Sequence, residues 1–167
     1  KGRLCKIMGK FKVLSNGIKI PSIGFGTYKS GDNNETAEIV KYALECGYRQ
    51  IDTASFYGNE VGIGNAIKES KVKREDIFLV TKLWNDDHGY DKTIEAFNNF
   101  LKRLQVEYLD LYLIHWPNKL NAETWRAFED LYKAGKVKAI GVCNFKIGHL
   151  EELKKTAKIM PMVNQVE

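Results

Sequence analysis

Short apolar runs and amphipathic segments alternate along this chain, and this alternation limits the fold more than any other feature. Runs such as 77–81 and 108–114 are almost continuously apolar, as expected for strands that are buried on both faces. Between them, segment 94–104 repeats apolar residues every three or four positions, which is typical of a helix with one buried face. The repeated order of strand and helix predicts a parallel sheet with helical crossovers, an α/β fold.

Across the whole chain, the pattern predicts six such strands after an initial β-hairpin. The hairpin pairs 11–14 with 18–20 and turns at Asn16-Gly17, a dipeptide that favours tight turns. Segment 1–7 is interpreted as a leader remnant, so the folded domain is expected to cover 8–167. The predicted strands are 23–25, 48–52, 77–81, 108–114, 137–142 and 162–167, and the predicted helices lie near 34–45, 60–69, 94–104, 125–132 and 150–157.

Two architectures fit a parallel sheet of this kind, an open doubly wound sheet and a (β/α)8 barrel. A dinucleotide-binding open sheet carries a third glycine at a fixed spacing after its first strand. Gly24-Phe-Gly26 lacks that third glycine, and Gly62-Ile-Gly64 lies inside a predicted helix with Ile67 at the third position. The open sheet is therefore poorly supported, which favours a (β/α)8 TIM barrel.

Composition argues against several classes of protein. With 44% hydrophobic and 28% charged residues, the chain resembles an average globular domain. The net charge of +5 forms no basic stripe, and no window approaches the roughly 18 apolar residues of a membrane helix. The first ten residues lack the apolar core of a secretory signal, and the three cysteines show neither CxxC nor metal-ligand spacing. We therefore expect a cytoplasmic protein without a nucleic-acid, membrane or metal partner.

Reactive side chains follow several of the predicted strands. Asp52 ends the second strand, and Tyr57 follows it in the next loop. Lys82 follows the third strand and His115 the fourth. Each residue alone has a simpler explanation, such as a turn cap for Asp52 or a satisfied core histidine for His115. Because the active site of a barrel lies at the carboxyl ends of its strands, their coincidence there predicts an active site.

The chemistry of these side chains suits the reduction of a carbonyl group. A neighbouring ammonium favours the ionised phenol, so Lys82 is expected to lower the pKa of Tyr57 from its reference value of about 10. Asp52 can pair with Lys82 and keep it charged. Tyr57 would then act as a general acid, and His115 would donate a hydrogen bond to the same substrate oxygen. A cofactor must supply the hydride, because no side chain can.

Aromatic residues adjoin these positions. Tyr28, Trp84 and Trp116 are expected to line the substrate site, although packing alone would also explain the two tryptophans. His88 and His149 lie apart from the pattern and are expected to face solvent. A Ser-His-Asp hydrolase is not supported, because no GxSxG segment occurs.

Five segments of the chain, in order, resemble the successive signatures of the aldo-keto reductases, and the resemblance runs from about Phe11 to the last residue. It implies a (β/α)8 barrel that hairpin 11–20 closes at the bottom. The segments are Ile51-Asp-Thr-Ala-Ser-Phe-Tyr-Gly-Asn-Glu60, Thr81-Lys-Leu-Trp84, Asp110-Leu-Tyr-Leu-Ile-His-Trp-Pro117, Gly141-Val-Cys-Asn-Phe145 and Val163-Asn-Gln-Val-Glu167.

The resemblance also implies a function, the reduction of aldehydes or ketones with NADPH, with NADH as a possible substitute. In that family, the proton donor maps onto Tyr57, which is assisted by residues that map onto Asp52, Lys82 and His115. Substrate contacts are expected from Tyr28, Trp84, His115 and Trp116, and cofactor contacts from Gly26, Thr27, Tyr28, Asp52, Asn144 and Gln165.

Two departures from the family pattern stand out. Cys143 occupies a position where the family usually has serine, so a weaker donor is expected there. The sequence stops at the sixth predicted strand, where the family continues through two more. If the missing part is absent from the protein, we expect an incomplete barrel with negligible NADPH affinity and self-association through its open sheet edges; if the barrel is complete, we expect a monomer.

Two other functions stay open on the sequence alone. Lys82 could form a Schiff base in a lyase on the same barrel, although pairing with Asp52 would keep its amine protonated. The chain could also be a catalytically inactive or structural member of the fold, against which the presence of both Tyr57 and Lys82 argues.

Overall fold

The structure, a computed structural model, describes residues 10–166. The segment interpreted as a leader remnant, 1–7, lies outside the described residues, as do Cys5 and Glu167. In the described part, parallel strands alternate with helices, which confirms the predicted α/β architecture.

The sheet contains six parallel strands whose spatial order is the order of the chain, as in a barrel and unlike a doubly wound sheet. An antiparallel hairpin precedes it. The hairpin consists of β1 (Phe11–Val13) and β2 (Lys19–Pro21), and the sheet of β3 (Phe25–Gly26), β4 (Gln50–Asp52), β5 (Phe78–Leu83), β6 (Leu111–Ile114), β7 (Ile140–Cys143) and β8 (Asn164–Gln165).

Helices connect consecutive strands, and their ends follow local sequence signals. At the start of the first helix, the Asp32 side chain accepts hydrogen bonds from the backbone nitrogens of Asn34 and Glu35, and the Glu35 side chain accepts one from the Asp32 nitrogen. This capping box satisfies amides that would otherwise lack partners. The α-helices are α1 (Asn33–Glu45), α2 (Glu60–Glu69), α3 (Tyr90–Leu104), α4 (Asn121–Lys133) and α5 (Ile147–Lys154), and short 3-10 helices span Ser55–Tyr57, Arg74–Asp76 and Asn85–Asp87.

The hairpin turns where the sequence predicts and is tied to the amino-terminal end of the sheet. Asn16 accepts a hydrogen bond from the Ile18 nitrogen at 3.2 Å, and Gly17 adopts a φ of +85° that most residues avoid. The Asn16 amide also donates to the backbone oxygen of Lys138 at 2.9 Å, just ahead of β7. The hairpin therefore lies at the bottom of the sheet, as the resemblance implies.

Two apolar layers cover the two faces of the sheet, and β5 contributes to both. Its six residues are all buried. Leu79 and Leu83 pack in the larger cluster between sheet and helices, whereas Phe78 and Val80 belong to a smaller cluster against which the hairpin packs. Successive residues of β5 thus face opposite layers, as the pleat of a strand requires.

The glycines of α2 allow three helices to pack closely. A Cβ atom on Gly62 would lie 2.1 Å from the backbone oxygen of Asn33 at the start of α1. On Gly64 it would lie 2.7 Å from the backbone oxygen of Leu104 at the end of α3. The Gly62-Ile-Gly64 pattern therefore serves helix packing in this fold.

Candidate active site

The four side chains predicted to react lie together at the carboxyl-terminal ends of the strands. Asp52 is the last residue of β4, and Tyr57 is the last residue of the 3-10 helix that follows it. Lys82 is the penultimate residue of β5, and His115 directly follows β6. Parallel pairing of β4, β5 and β6 brings these positions to one edge, because equivalent ends of neighbouring strands stay side by side.

Lys82 is held by two acceptors inside this edge. Its side chain is 3% exposed, and its ammonium forms an ion pair with Asp52, as predicted. The same nitrogen donates to the backbone oxygen of Thr53 at 2.9 Å. A buried ammonium needs such partners to stay charged, so these contacts fix both the charge and the direction of the Lys82 side chain.

The predicted direction of the Tyr57 pKa is wrong. Its ring is half-buried, and the Lys82 nitrogen lies 5.3 Å from the ring centroid. Burial raises the pKa of Tyr57 by removing hydration from the phenolate, and this outweighs the lowering by the Lys82 charge, while the Asp52 carboxylate raises it further. The sequence shows the neighbouring lysine but not the extent of burial. Tyr57 therefore carries its proton at neutral pH.

His115 is a neutral imidazole between two aromatic rings. Its ring centroid lies 6.0 Å from that of Tyr57 and 5.2 Å from that of Trp84. Burial, with a further contribution from the Lys82 charge, lowers the pKa of His115 to about 4. Its Nδ1 atom is buried and has no hydrogen-bond partner among residues 10–166. A neutral imidazole keeps one N–H donor, which His115 can offer to a bound molecule.

Amide side chains at the ends of β7 and β8 lie on the other side of the site, near the Asp52 carboxylate. The Gln165 amide donates to Asp52 at 3.1 Å and accepts a hydrogen bond from the Cys143 thiol at 3.5 Å. Burial raises the pKa of Cys143 to about 12, so the thiol keeps its proton. Asn144, with a left-handed φ of +58°, donates from its amide to the backbone oxygen of His115 at 3.2 Å. These amides offer both donors and acceptors, a set that fits a carboxamide such as that of nicotinamide.

The loop after β3 completes this side of the site. The Thr27 hydroxyl donates to the backbone oxygen of Asp52 at 3.1 Å, and the Tyr28 ring lies 5.0 Å from that of Tyr57. A Cβ atom on Gly26 would meet no other atom within 4 Å, so the space in front of this backbone is open. A flat group can therefore approach Gly26 closely, which also fits a nicotinamide ring.

A family model described as the aldo/keto reductase family matches residues 22–167. The chain belongs to the aldo/keto reductase family. Glyoxal reductase of Bacillus subtilis (strain 168) is 57% identical to it over 155 residues, which cover 92% of this chain and 56% of that protein. This aldo/keto reductase chain thus spans about half the length of the curated relatives it matches.

Solved structures of aldo-keto reductases superpose closely on this one. An aldo/keto reductase from Brucella melitensis matches with a TM-score of 0.92 and 49% identity, over 95% of this chain and 63% of that one. A Bombyx mori aldo-keto reductase, solved in complex with NADP, matches with a TM-score of 0.90 and 36% identity, over 95% of this chain and 58% of that one. These neighbours are (β/α)8 barrels, which confirms the predicted fold class.

Phe56 and Trp116 are two further aromatic residues near the site of this aldo/keto reductase. The sequence analysis does not place Phe56 in the site, yet its ring stacks on that of Trp84, with the two ring centroids 4.1 Å apart. The only sequence signal for Phe56 is that it is an aromatic residue directly before Tyr57. Trp116, in contrast, is 45% exposed, and within the described ranges no ring contact joins it to the other aromatic residues of the site.

The predicted exposure of His88 is wrong. The residue is 3% exposed, because the loop that follows β5 folds its ring inward, and burial lowers its pKa to about 4. His149 is partly exposed, and its ring nitrogen Nδ1 accepts a hydrogen bond from the Lys146 nitrogen at the start of α5. His88 is therefore a buried histidine and not a solvent-facing one.

Within residues 10–166, no helix has the length and apolar character needed to cross a membrane. The same residues contain no group of three His, Cys, Asp or Glu side chains placed to hold a metal ion.

Proposed function

We propose that the protein reduces aldehydes or ketones to alcohols with NADPH. The observation that carries this proposal is the position of Tyr57, a protonated phenol beside the buried Lys82–Asp52 pair and the neutral His115. A proton donor and a hydrogen-bond donor thus border one point at the mouth of the strands. That arrangement suits an oxygen atom that gains negative charge during reduction.

Each of the four residues has a distinct part in the proposed reaction. Tyr57 gives its proton to the carbonyl oxygen as negative charge develops there. The Lys82 charge stabilises the phenolate that remains, and Asp52 holds Lys82 in place. His115, neutral because its pKa is about 4, donates a hydrogen bond that orients the substrate oxygen.

The cofactor would lie against the loop after β3 and the amides at the ends of β7 and β8. When bound, NADPH supplies the hydride that this reaction requires. The open space at Gly26 and the amide side chains of Asn144 and Gln165 support this assignment. The Bombyx mori relative is solved with NADP. We assign the cofactor contacts to Gly26, Thr27, Tyr28, Asp52, Asn144 and Gln165.

The substrate is proposed to be a small carbonyl compound, including dicarbonyls of the glyoxal type. The similarity to a glyoxal reductase supports this class. Trp84, which packs between Phe56 and His115, offers a flat apolar surface beside the reacting position, and the Tyr28 ring packs against that of Tyr57. Trp116, exposed beside His115, is assigned to the rim of this site.

The decisive experiment replaces the proton donor in the full-length protein. Tyr57→Phe removes one hydroxyl and keeps the ring, so the rate of NADPH oxidation with glyoxal should fall by about 100-fold or more. NADPH binding, followed by tryptophan fluorescence, should persist. Undiminished turnover in Tyr57→Phe would refute the proposal.

A Schiff-base lyase fits the site less well. Lys82 donates to the Thr53 backbone oxygen and pairs with Asp52, and both contacts favour the protonated, non-nucleophilic amine. Borohydride reduction in the presence of a carbonyl compound separates the two functions, since only a lyase would trap that compound on Lys82.

We also propose a cytoplasmic location and a monomeric barrel domain that begins near Met8. The described cysteines, Cys46 and Cys143, are both free thiols, which fits a reducing compartment. A closed barrel has no sheet edge with which another copy could pair. Cell fractionation and size-exclusion chromatography of the full-length protein test these two points.

A further inference from the structure

Asn59 lies at the start of α2, two residues beyond Tyr57, and is 2% exposed. Its side-chain nitrogen donates to the backbone oxygen of Thr27 at 2.8 Å and to the hydroxyl of Ser30 at 3.1 Å. Its side-chain oxygen accepts a hydrogen bond from the hydroxyl of Thr53 at 3.3 Å. One buried amide thus connects the loop after β3, the end of β4 and the start of α2.

These partners allow only one orientation of the Asn59 amide. The backbone oxygen of Thr27 can only accept, so the nitrogen must face it, and the oxygen is left for the Thr53 hydroxyl. Asn59 also precedes the first turn of α2, where asparagine commonly caps the helix with its side chain. Here the side chain makes no capping hydrogen bond. Its polar atoms serve the loops instead.

Each segment held by Asn59 carries a part of the site. Thr27 is followed by Tyr28, whose ring lies 5.0 Å from that of Tyr57. The backbone oxygen of Thr53 accepts the hydrogen bond from the Lys82 ammonium at 2.9 Å. Asn59 itself is joined to Tyr57 through Gly58, which adopts a φ of +69°.

We propose that Asn59 is a positioning residue that fixes Tyr57 relative to both Lys82 and the loop after β3, which carries Tyr28. This inference rests on the proposed function, because it assigns Asn59 to the geometry of the same proton transfer. Displacement of a reacting group by about 1 Å can reduce turnover by about 100-fold, so such a connection matters even though Asn59 touches neither substrate nor cofactor.

The test uses Asn59→Asp in the full-length protein. This change keeps the shape but places a carboxylate oxygen against the Thr27 backbone oxygen, and two acceptors repel. We expect kcat for glyoxal at pH 8 to fall by about 10- to 100-fold while KM changes less. At lower pH the substituted carboxyl gains a proton and can donate to Thr27 again. The ratio of variant to parent kcat should therefore rise as the pH falls.

A matched control comes from the opposite end of the sheet. Asn16 also donates from its amide to a backbone oxygen, that of Lys138 at 2.9 Å. Asn16→Asp introduces the same chemistry away from the site, so its kcat ratio should stay near one at all pH values. A pH-dependent ratio in both variants, or in neither, would overturn the positioning role of Asn59.

Two further variants keep the inference testable. Thr53→Val keeps the size of the side chain but leaves the Asn59 oxygen without its donor, so it should also lower kcat, which covers the case in which Asn59→Asp does not fold. Unchanged kcat in a folded Thr53→Val variant contradicts the inference. If Tyr57→Phe is inactive while Asn59→Asp is fully active, only the positioning role fails. If Tyr57→Phe keeps full activity, the proposed function itself fails.

Discussion

The Lys82 ammonium lies 5.3 Å from the centroid of the Tyr57 ring, and the same nitrogen forms an ion pair with Asp52. Asp52 therefore partly neutralises the Lys82 charge that would otherwise stabilise the Tyr57 phenolate. This explains why burial dominates and the pKa of Tyr57 is raised. The arrangement keeps the proton on Tyr57 at neutral pH, as its proposed role of proton donor requires.

Replacement of Lys82 should separate its proposed catalytic role from its contribution to stability. Lys82→Met leaves the largely buried Asp52 carboxylate without its ion-pair partner, which typically costs about 3–5 kcal/mol in the free energy of unfolding. The double variant Lys82→Met with Asp52→Asn should regain part of this stability without regaining turnover. Urea unfolding and NADPH oxidation measure the two effects. A double variant no more stable than the single one would contradict this interpretation of the ion pair.

Acid should destabilise the protein through its buried histidines. The pKa of His88 is lowered by burial to about 4 in the folded state, below the value near 6.5 expected on unfolding. Between these values the unfolded chain binds more protons, so stability is complete above pH 6.5 and is lost as the pH falls towards 4. His88→Phe removes this titration.

Melting temperatures between pH 4 and 7 measure the effect of His88. The variant should show a shallower fall in Tm with acid than the parent, and the remaining slope should include His115, whose pKa is also lowered to about 4. Parallel curves for parent and variant would show that His88 is accessible to protons in the folded state.

Cys143 should resist alkylation. Its side chain is 2% exposed, and its pKa of about 12 leaves almost no thiolate at pH 8. Cys46 is partly exposed and serves as the internal comparison. After brief treatment with iodoacetamide, peptide mass mapping should find Cys46 modified and Cys143 intact. Equal labelling of both residues would mean that the end of β7 opens readily.

Alanine should be tolerated at one helical glycine and not at another. Gly62→Ala places a Cβ atom 2.1 Å from the Asn33 backbone oxygen, so α1 and α2 must separate, at a cost of about 1–3 kcal/mol. A Cβ atom on Gly148 in α5 would meet no other atom within 4 Å, so Gly148→Ala should be neutral or stabilising by up to about 1 kcal/mol. Thermal melts of both variants compare the two directly, and an equal loss of stability in both would contradict the packing role of Gly62.

Most of the fold follows from patterns within short segments. The predicted helix 60–69 has the bounds of α2, because periodicity and the residues that end a helix are local signals. Strand bounds are less accurate, as for the first predicted strand, 23–25, which is β3 at Phe25–Gly26. Pairing with β4 sets where that strand ends, and pairing partners are distant in sequence.

The sequence predicts which residues come together in the candidate site but not their environment. It predicts that Asp52, Tyr57, Lys82 and His115 lie close together, because strand ends meet at one edge of a parallel sheet. The raised pKa of Tyr57 depends on burial by residues from several loops. The hydrogen bonds of Asn59 depend on segments up to 32 positions away. Neither property leaves a signal in the local sequence.

Neighbouring residues of β5 take part in different hydrogen-bond networks, and this limits where the chain can tolerate insertions and deletions. The Thr81 hydroxyl donates to the Glu60 carboxylate at 3.1 Å on the helix side, whereas Lys82 serves the opposite face. A one-codon insertion or deletion upstream within β5 would exchange these faces and disrupt both networks at once. Insertions and deletions in related sequences should therefore occur in loops such as 84–89 and be absent from 78–82.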